Sequence, residues 1–344
     1  MTVGEAGERQ VIARVRARVP APPAFVVIGI GDDAAVLEPP RNRLDIVTTD
    51  AAVEGVHFDR RFMDAGAIGH RVLAANLSDL AAMGAEPRTA LLSLMLPDAL
   101  PLAELDALLD AFLALAARTG THLVGGNVTR SPGPLVIDVT LSGTAKRRRV
   151  LTRSGGRAGD ELFVSGSVGG AAAGLAWLQQ SGAGTPSDPA IADAVARFLR
   201  PEPRLRLGLL AGRTRAASAA MDLSDGLADA VRQLAEASGT GARIEAAALP
   251  VHPGVTAALG DAEAVLGTAL AGGEDYELLL AVPPRAGRRF AAAARLARLP
   301  VTRIGALTPA GAGLTLATPA GDRPIPEGFE HFRAPIAAIS APGR

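Results

Sequence analysis

The chain has 344 residues, with 35 basic and 35 acidic side chains, 48% hydrophobic residues and no cysteine. That length allows two domains with separate cores, and the balanced charge recommends neither nucleic acid nor an anionic membrane as a partner. The lack of cysteine excludes disulfide scaffolds, thiolate catalysis and cysteine zinc sites; with no signal-peptide-like start and no apolar run of about 18 residues, a cytoplasmic protein is expected.

Residues 10–20 carry a helical pattern. "FVVIGIGDDAAVL" reads as a buried strand breaking at Gly29 and Gly31 into a turn that presents Asp32 and Asp33, and "LDIVTTDAAVEGVHF" as a strand with Thr48, Thr49 and Asp50 at its polar end. An Ala/Leu helix is predicted over 64–83, ending near Gly84. The strand "RTALLSLMLP" follows, then the amphipathic helix "LAELDALLDAFLALAARTG", closed by Gly120. "HLVGGNVTRSPGPLVIDVTLSGTA" predicts a strand, a Gly-Gly-Asn turn and an alternating strand.

The basic run "KRRRVLTRSGGRAGD" marks the expected boundary between a domain of residues 1–148 and one of residues 149–344. Beyond it come the strand and Gly turn "ELFVSGSVGG", the helix "AAAGLAWLQQ" and a helix stopped by the prolines of "LRPEPR". "GGEDYELLLAVP" reads as a Gly turn entering a strand, "RFAAAARLARLP" as a helix, and "VTRIGALTP" with "GLTLATPAG" as a closing hairpin. Several strand pairs leave no room for a helical crossover, so the expected class is α/β (α+β) with mixed sheets.

Four acidic segments share one pattern: Gly31-Asp32-Asp33, Thr48-Thr49-Asp50, Ser78-Asp79 and Asp222-Leu223-Ser224-Asp225. Individually they suit turns and helix caps. Asp79 and Asp222, however, lie in apolar runs, where an unpaired charge is costly. In "MDLSDGLAD" the spacing would put Asp222, Asp225 and Asp229 on one face of a helix, which demands a cation. Oxygen ligands of this kind suit Mg²⁺, whose shell is completed by water and phosphates; the five His show no zinc-enzyme spacing. Backbone N–H groups at Gly125-Gly126 can approach a phosphate, and Arg153 can chelate phosphoryl oxygens. Lys146 is the one lysine and no G-x-x-x-x-G-K-[ST] occurs, so a P-loop is excluded. The residues thus point to Mg²⁺-dependent phosphoryl transfer.

The ordered segments "GIGDDAAVL", "TTDAAVEGVHF", "ANLSDLAAMGAEP", "GGNVTRS", "LTRSGGRAGDELFVSG", "LRPEPR", "MDLSDGLAD", "GGEDYELLLAVP" and "GFEHF" span nearly the whole chain and resemble the thiamine-monophosphate kinase family. They also resemble the wider superfamily of aminoimidazole ribonucleotide synthetase. The resemblance implies two α/β domains, a homodimer joined through the N-terminal sheets with ATP near that interface, and direct transfer from ATP to thiamine monophosphate with several Mg²⁺ ions. It implies metal positions at Asp33, Thr48, Thr49, Asp50, Asp79, Asn127, Asp222 and Asp225, nucleotide contacts at Gly126, Asn127, Arg153 and Ser224, and substrate contacts at His57, Glu274 and Phe329. Asn127 departs from the more familiar Gly-Gly-Asp and removes one negative charge. An ATP-dependent ring closure on the same scaffold and a non-catalytic nucleotide-binding dimer are the alternatives.

Overall fold

The computed structural model of the protein describes residues 1–326. In Val136–Ala145 the side chains of Ile137, Val139 and Leu141 are fully buried while Asp138, Thr140 and Ser142 alternate to the other face, the period of a strand with one covered side. It is an inner strand of a four-stranded sheet ordered Leu44–Val53, Val136–Ala145, Glu86–Pro97, His122–Ser131. Neighbours are antiparallel except the last two, which are parallel. The helix Leu102–Thr119, closed by Gly120 in the left-handed conformation, carries the chain between those two strands.

Residues 146–160 lead to a second sheet of seven strands, ordered Gly321–Pro324, Leu314–Thr318, Gly241–Glu245, Val301–Thr308, Glu161–Ser165, Leu278–Val282, Ala219–Asp222. One pair in it is parallel, so both sheets take part in the expected α/β fold and the second is mixed as well. The strand Ala219–Asp222 lies at its edge and ends on a buried carboxylate.

One helix ties the halves together. Asp64 caps Ala65–Ala82 by accepting the Ala67 N–H at 2.6 Å. Leu73, Leu77 and Leu80 enter the core beneath the four-stranded sheet, while Ala81 and Ala82 pack with Leu207, Ala211, Ala220 and Leu278 of the second half. Small side chains permit this contact: a Cβ on Gly208 would fall 1.9 Å from the Ala81 carbonyl oxygen. The helix therefore brings Ser78 and Asp79 between the edge strands of the two sheets.

Four expectations are corrected. In the strand Val26–Ile28 only Val26 is buried, Val27 being 60% exposed; the strand pairs with Val36–Leu37, outside both large sheets. Gly125, Gly126 and Asn127 form no turn but a bulged stretch within His122–Ser131, where the register slips between Ala90 and Leu91. Gly126 has φ +154°, and a Cβ there would come within 1.9 Å of the Leu92 carbonyl oxygen; close strand approach, not a reversal, requires this glycine. Val301–Thr308 and Leu314–Thr318 make no hairpin because Gly241–Glu245 lies between them, and Leu314–Thr318 turns instead into Gly321–Pro324. Finally, Asp222, Asp225 and Asp229 share no helix face. Asp222 ends a strand, Asp225 lies in the following loop, and Asp229 is in the first turn of Leu227–Ser238.

Candidate functional site between the two sheets

Pleating divides the Thr48-Thr49-Asp50 segment. Thr48 pairs with buried Leu141 and Asp50 with buried Val139, so both side chains point to the helix-covered face. Thr48 donates to Asp79 Oδ2 at 2.5 Å, and the neighbouring Ser78 donates to Asp222 Oδ2 at 2.8 Å. Two consecutive helix residues thereby reach the edge strands of opposite sheets. Around them lies a cavity of about 540 Å³, lined by Asp50, Asp79, Asp222, Ser224 and Asp225 together with His57 and Glu274. Arg153 borders the same carboxylates from the side of Thr48, Asp79 and Asp222.

The carboxylates are held under electrostatic tension. Burial, and then the negative charge of Asp79, pushes Asp222 up to about 7 despite the hydroxyl of Ser78 and the charge of Arg153. Asp50 opens into the cavity, yet loss of hydration and then the charges of Asp79, Asp138 and Asp225 push it up to about 6. Asp79 is raised by burial, against the hydrogen bond from Thr48 and the charge of Arg153. Crowded carboxylates that favour protonation when no cation lies among them are a fitting donor set for a hard divalent ion. Among the described residues no group of three or more His, Asp or Glu side chains is arranged so that it could hold a metal ion as it stands.

The remaining residues are oriented by their neighbours. His57 accepts the Val53 N–H at Nδ1, 3.1 Å away, which places its neutral-state proton on Nε2. Arg153 donates to Gln233 Oε1 at 2.6 Å, and Gln233 donates to Asp229 Oδ2 at 2.5 Å. Asp229 thus steadies the arginine through Gln233 and stands apart from the carboxylate group. In "GGEDYE", Glu274 pairs with Arg71. Asp275 accepts the Gly169 and Ala171 N–H groups at 2.5 and 2.9 Å at the start of the helix Gly170–Ser181. Glu277, with no exposed surface, accepts from Arg204 and Ser165. Glu274 and Tyr276 have φ +69° and +49°, conformations fixed by the Glu274 N–H bond to Ser224 and the Tyr276 N–H bond to Leu223.

Thr49, Asn127 and Asp33 lie elsewhere. Thr49 is on the opposite face of the four-stranded sheet, 3.1 Å from Thr140 and 3.5 Å from Asp138. Asn127 pairs with Ser93, which pairs with Asp138, on that same face. Asp32 and Asp33 line a second cleft of about 750 Å³ there, with Gly126, Asn127, Ser93 and Thr140. The site residues named from the sequence are therefore brought together as two groups, one on each side of a sheet. Phe329 lies outside the described residues. Sequence reasoning missed Arg71, Gln233, Tyr276 and Asp138. A lone cation inside the apolar "GHRVLAANLSDL" was the available signal for Arg71.

Residues 31–145 match the family model "AIR synthase related protein, N-terminal domain", and residues 157–316 match its C-terminal counterpart. The chain is 38% identical over 338 residues to thiamine-monophosphate kinase of Escherichia coli K12, covering 96% of this chain and 99% of that protein. Thiamine-monophosphate kinase from Stenotrophomonas maltophilia superposes with a TM-score of 0.79 at 37% identity, covering 90% of this chain and 94% of the other. The structure of AaThiL complexed with AMPPCP and TMP gives 0.75 at 30% identity, with 96% and 99% covered. With both halves matched and nearly its whole length aligned, the chain belongs to the thiamine-monophosphate kinase family of AIR synthase related proteins.

Proposed function

We propose that this protein is the kinase its relatives are, transferring the γ-phosphoryl group of ATP to thiamine monophosphate and forming thiamine diphosphate. The observation that carries the reading is the convergence of Asp50, Asp79 and Asp222 in one cleft whose other wall holds His57 and Glu274, with Arg153 lining an adjoining cavity that shares Asp79 and Asp222. A binding module has no reason to maintain carboxylates this crowded.

The acceptor is already a phosphate anion, so the chain needs no strong general base; its task is to bring two polyanions together in line. Asp50, Asp79, Asp222 and Asp225 would hold Mg²⁺, with Thr48 steadying Asp79; the bound ions supply charge neutralisation on the phosphates. Arg153, braced by Gln233, offers a planar fork to phosphoryl oxygens. Ser224 lines the larger cavity beside Asp222 and Asp225 and is assigned to the nucleotide. His57 and Glu274 orient thiamine monophosphate, a role we extend to Phe329 on the resemblance alone. Thr49, Gly126, Asn127 and Asp33 would contribute to metal and nucleotide from the outer face. In a homodimer joined through the four-stranded sheets, that face becomes an interface. The exposed Val47 and Leu91 beside it are consistent with such burial. We place the domain division at 148/149 and the enzyme in the cytoplasm; among the described residues no helix is long and apolar enough to cross a membrane.

A coupled assay of ATP turnover with thiamine monophosphate, run beside one with formylglycinamidine ribonucleotide, tests the proposal. Turnover with the first substrate alone is expected. Turnover with the second substrate, or with neither, rejects it.

A further inference from the structure

Ile68, Arg71, Ala75 and Asp79 follow one another at three- and four-residue spacing along Ala65–Ala82, and all four line the cavity. The same helix face therefore presents a cation near one end of the cleft and a carboxylate near the other. Eight residues of helix separate them by about 12 Å along its axis. Arg71 is only 4% exposed, which is unusual for an arginine. Its guanidinium pairs with Glu274, donates to the Phe198 carbonyl, and lies 4.4 Å from the Phe198 ring centroid and 5.8 Å from that of Tyr276. One residue of the N-terminal half thus grips the C-terminal half at three points.

Glu274 needs such a grip. It sits in a left-handed conformation in a glycine-led loop, and its side chain is 29% exposed to the cleft. A carboxylate on such a loop has several rotamers open to it unless a partner selects one. Planar Arg71, itself fixed by an aromatic face and a carbonyl, makes that selection. Because its charge is engaged by Glu274, Arg71 is a poor anchor for a phosphate. The pair is neutral as a whole, and the exposed part of the Glu274 carboxylate offers an acceptor to an N–H-donating heterocycle.

We propose that Arg71 is a positioning residue for substrate recognition: it holds Glu274 so that the heterocyclic end of thiamine monophosphate, and not its phosphate, meets the end of the cleft remote from Asp79. This rests on the function proposed above. Arg71 acts through Glu274 and touches neither ATP nor the transferred group.

Steady-state kinetics of the full chain test the inference, using Arg71→Lys, Glu274→Gln and the double variant. Arg71→Lys keeps the charge and loses the fork. It should raise KM for thiamine monophosphate about 10- to 100-fold, the weight of a lost charge-assisted contact, with KM for ATP and kcat within about twofold. The double variant should be no worse than Glu274→Gln alone. Since Arg71 is buried, Phe198→Leu provides a milder second variant: it removes the ring beneath the guanidinium and should raise the same KM a few-fold. An equal rise in both KM values, additive losses in the double variant, or an unchanged KM in Phe198→Leu would each overturn the role of Arg71. Wild-type protein inactive on thiamine monophosphate would instead reject the underlying function, and these results are distinguishable.

Discussion

Two acidic stretches meet at the same cleft and are treated in opposite ways. In "MDLSD" and its counterpart "NLSD", Asp79 and Asp222 face each other and Asp50. Short hydroxyl bonds and the charge of Arg153 oppose the burden without removing it. In "GGEDYE" each acid has its own partner: Arg71 for Glu274, two helix N–H groups for Asp275, and Arg204 with Ser165 for Glu277. The first arrangement stores repulsion that a ligand cation can relieve; in the second each acid is tied to a structural partner in the wall, although burial still raises Asp275. Acid content alone therefore does not mark a metal site. Unequal satisfaction among neighbouring acids is the better guide to a candidate site.

The sharpest way to break this contrast is to neutralise one acid of each kind. Asp79→Asn should lower turnover about a thousandfold, because several kcal/mol of charge stabilisation depend on the cluster, while circular dichroism shows an intact fold. Near-normal turnover at limiting Mg²⁺ would remove Asp79 from the site. Glu277→Gln should act oppositely. It leaves Arg204 without its buried partner and should destabilise the fold by about 3 kcal/mol in urea unfolding, with both KM values close to wild type in the folded fraction.

Asp222→Asn sharpens the point further. Relieving the repulsion with Asp79 should raise the melting temperature of the metal-free protein, while the stabilisation that Mg²⁺ gives the wild type should shrink. A variant that melts lower without metal and gains as much from Mg²⁺ would contradict the cluster's tension. The smallest effect concerns Asp275, which burial pushes up to about 7 from 3.8. The folded chain holds this proton more tightly than the unfolded one, so its contribution is fully present below about pH 4 and declines as pH rises towards 7. Asp275→Asn lacks that slope. The melting-temperature gap between wild type and variant should therefore narrow from pH 5 to pH 8, and a widening gap would show that the helix N–H groups outweigh burial.

Much of the contrast was legible in the chain itself. Asp79 and Asp222 stood out because each interrupts an apolar run, and the ordered motifs carried the family. The division of "GGEDYE" among three partners was not legible, since Arg71 lies some 200 residues upstream, as the sequence numbering shows, and Ser165 and Arg204 come from separate elements.

What the sequence by itself determined was local: strand alternation in Val136–Ala145, the helix stop at Gly120, and which acids were too costly to be ordinary surface charges. These depend on the φ/ψ preferences and hydrophobic period of neighbouring residues. Tertiary structure decided the sides. Pleating sent Thr48 and Asp50 to one face and Thr49 to the other, and strand register placed Asn127 with Thr49 and Asp138 on the outer face. It also turned a supposed aspartate helix face into a strand end, a loop and a helix start. A one-residue change of register reverses every side chain of a strand, and register is settled by pairing with residues far away in the chain.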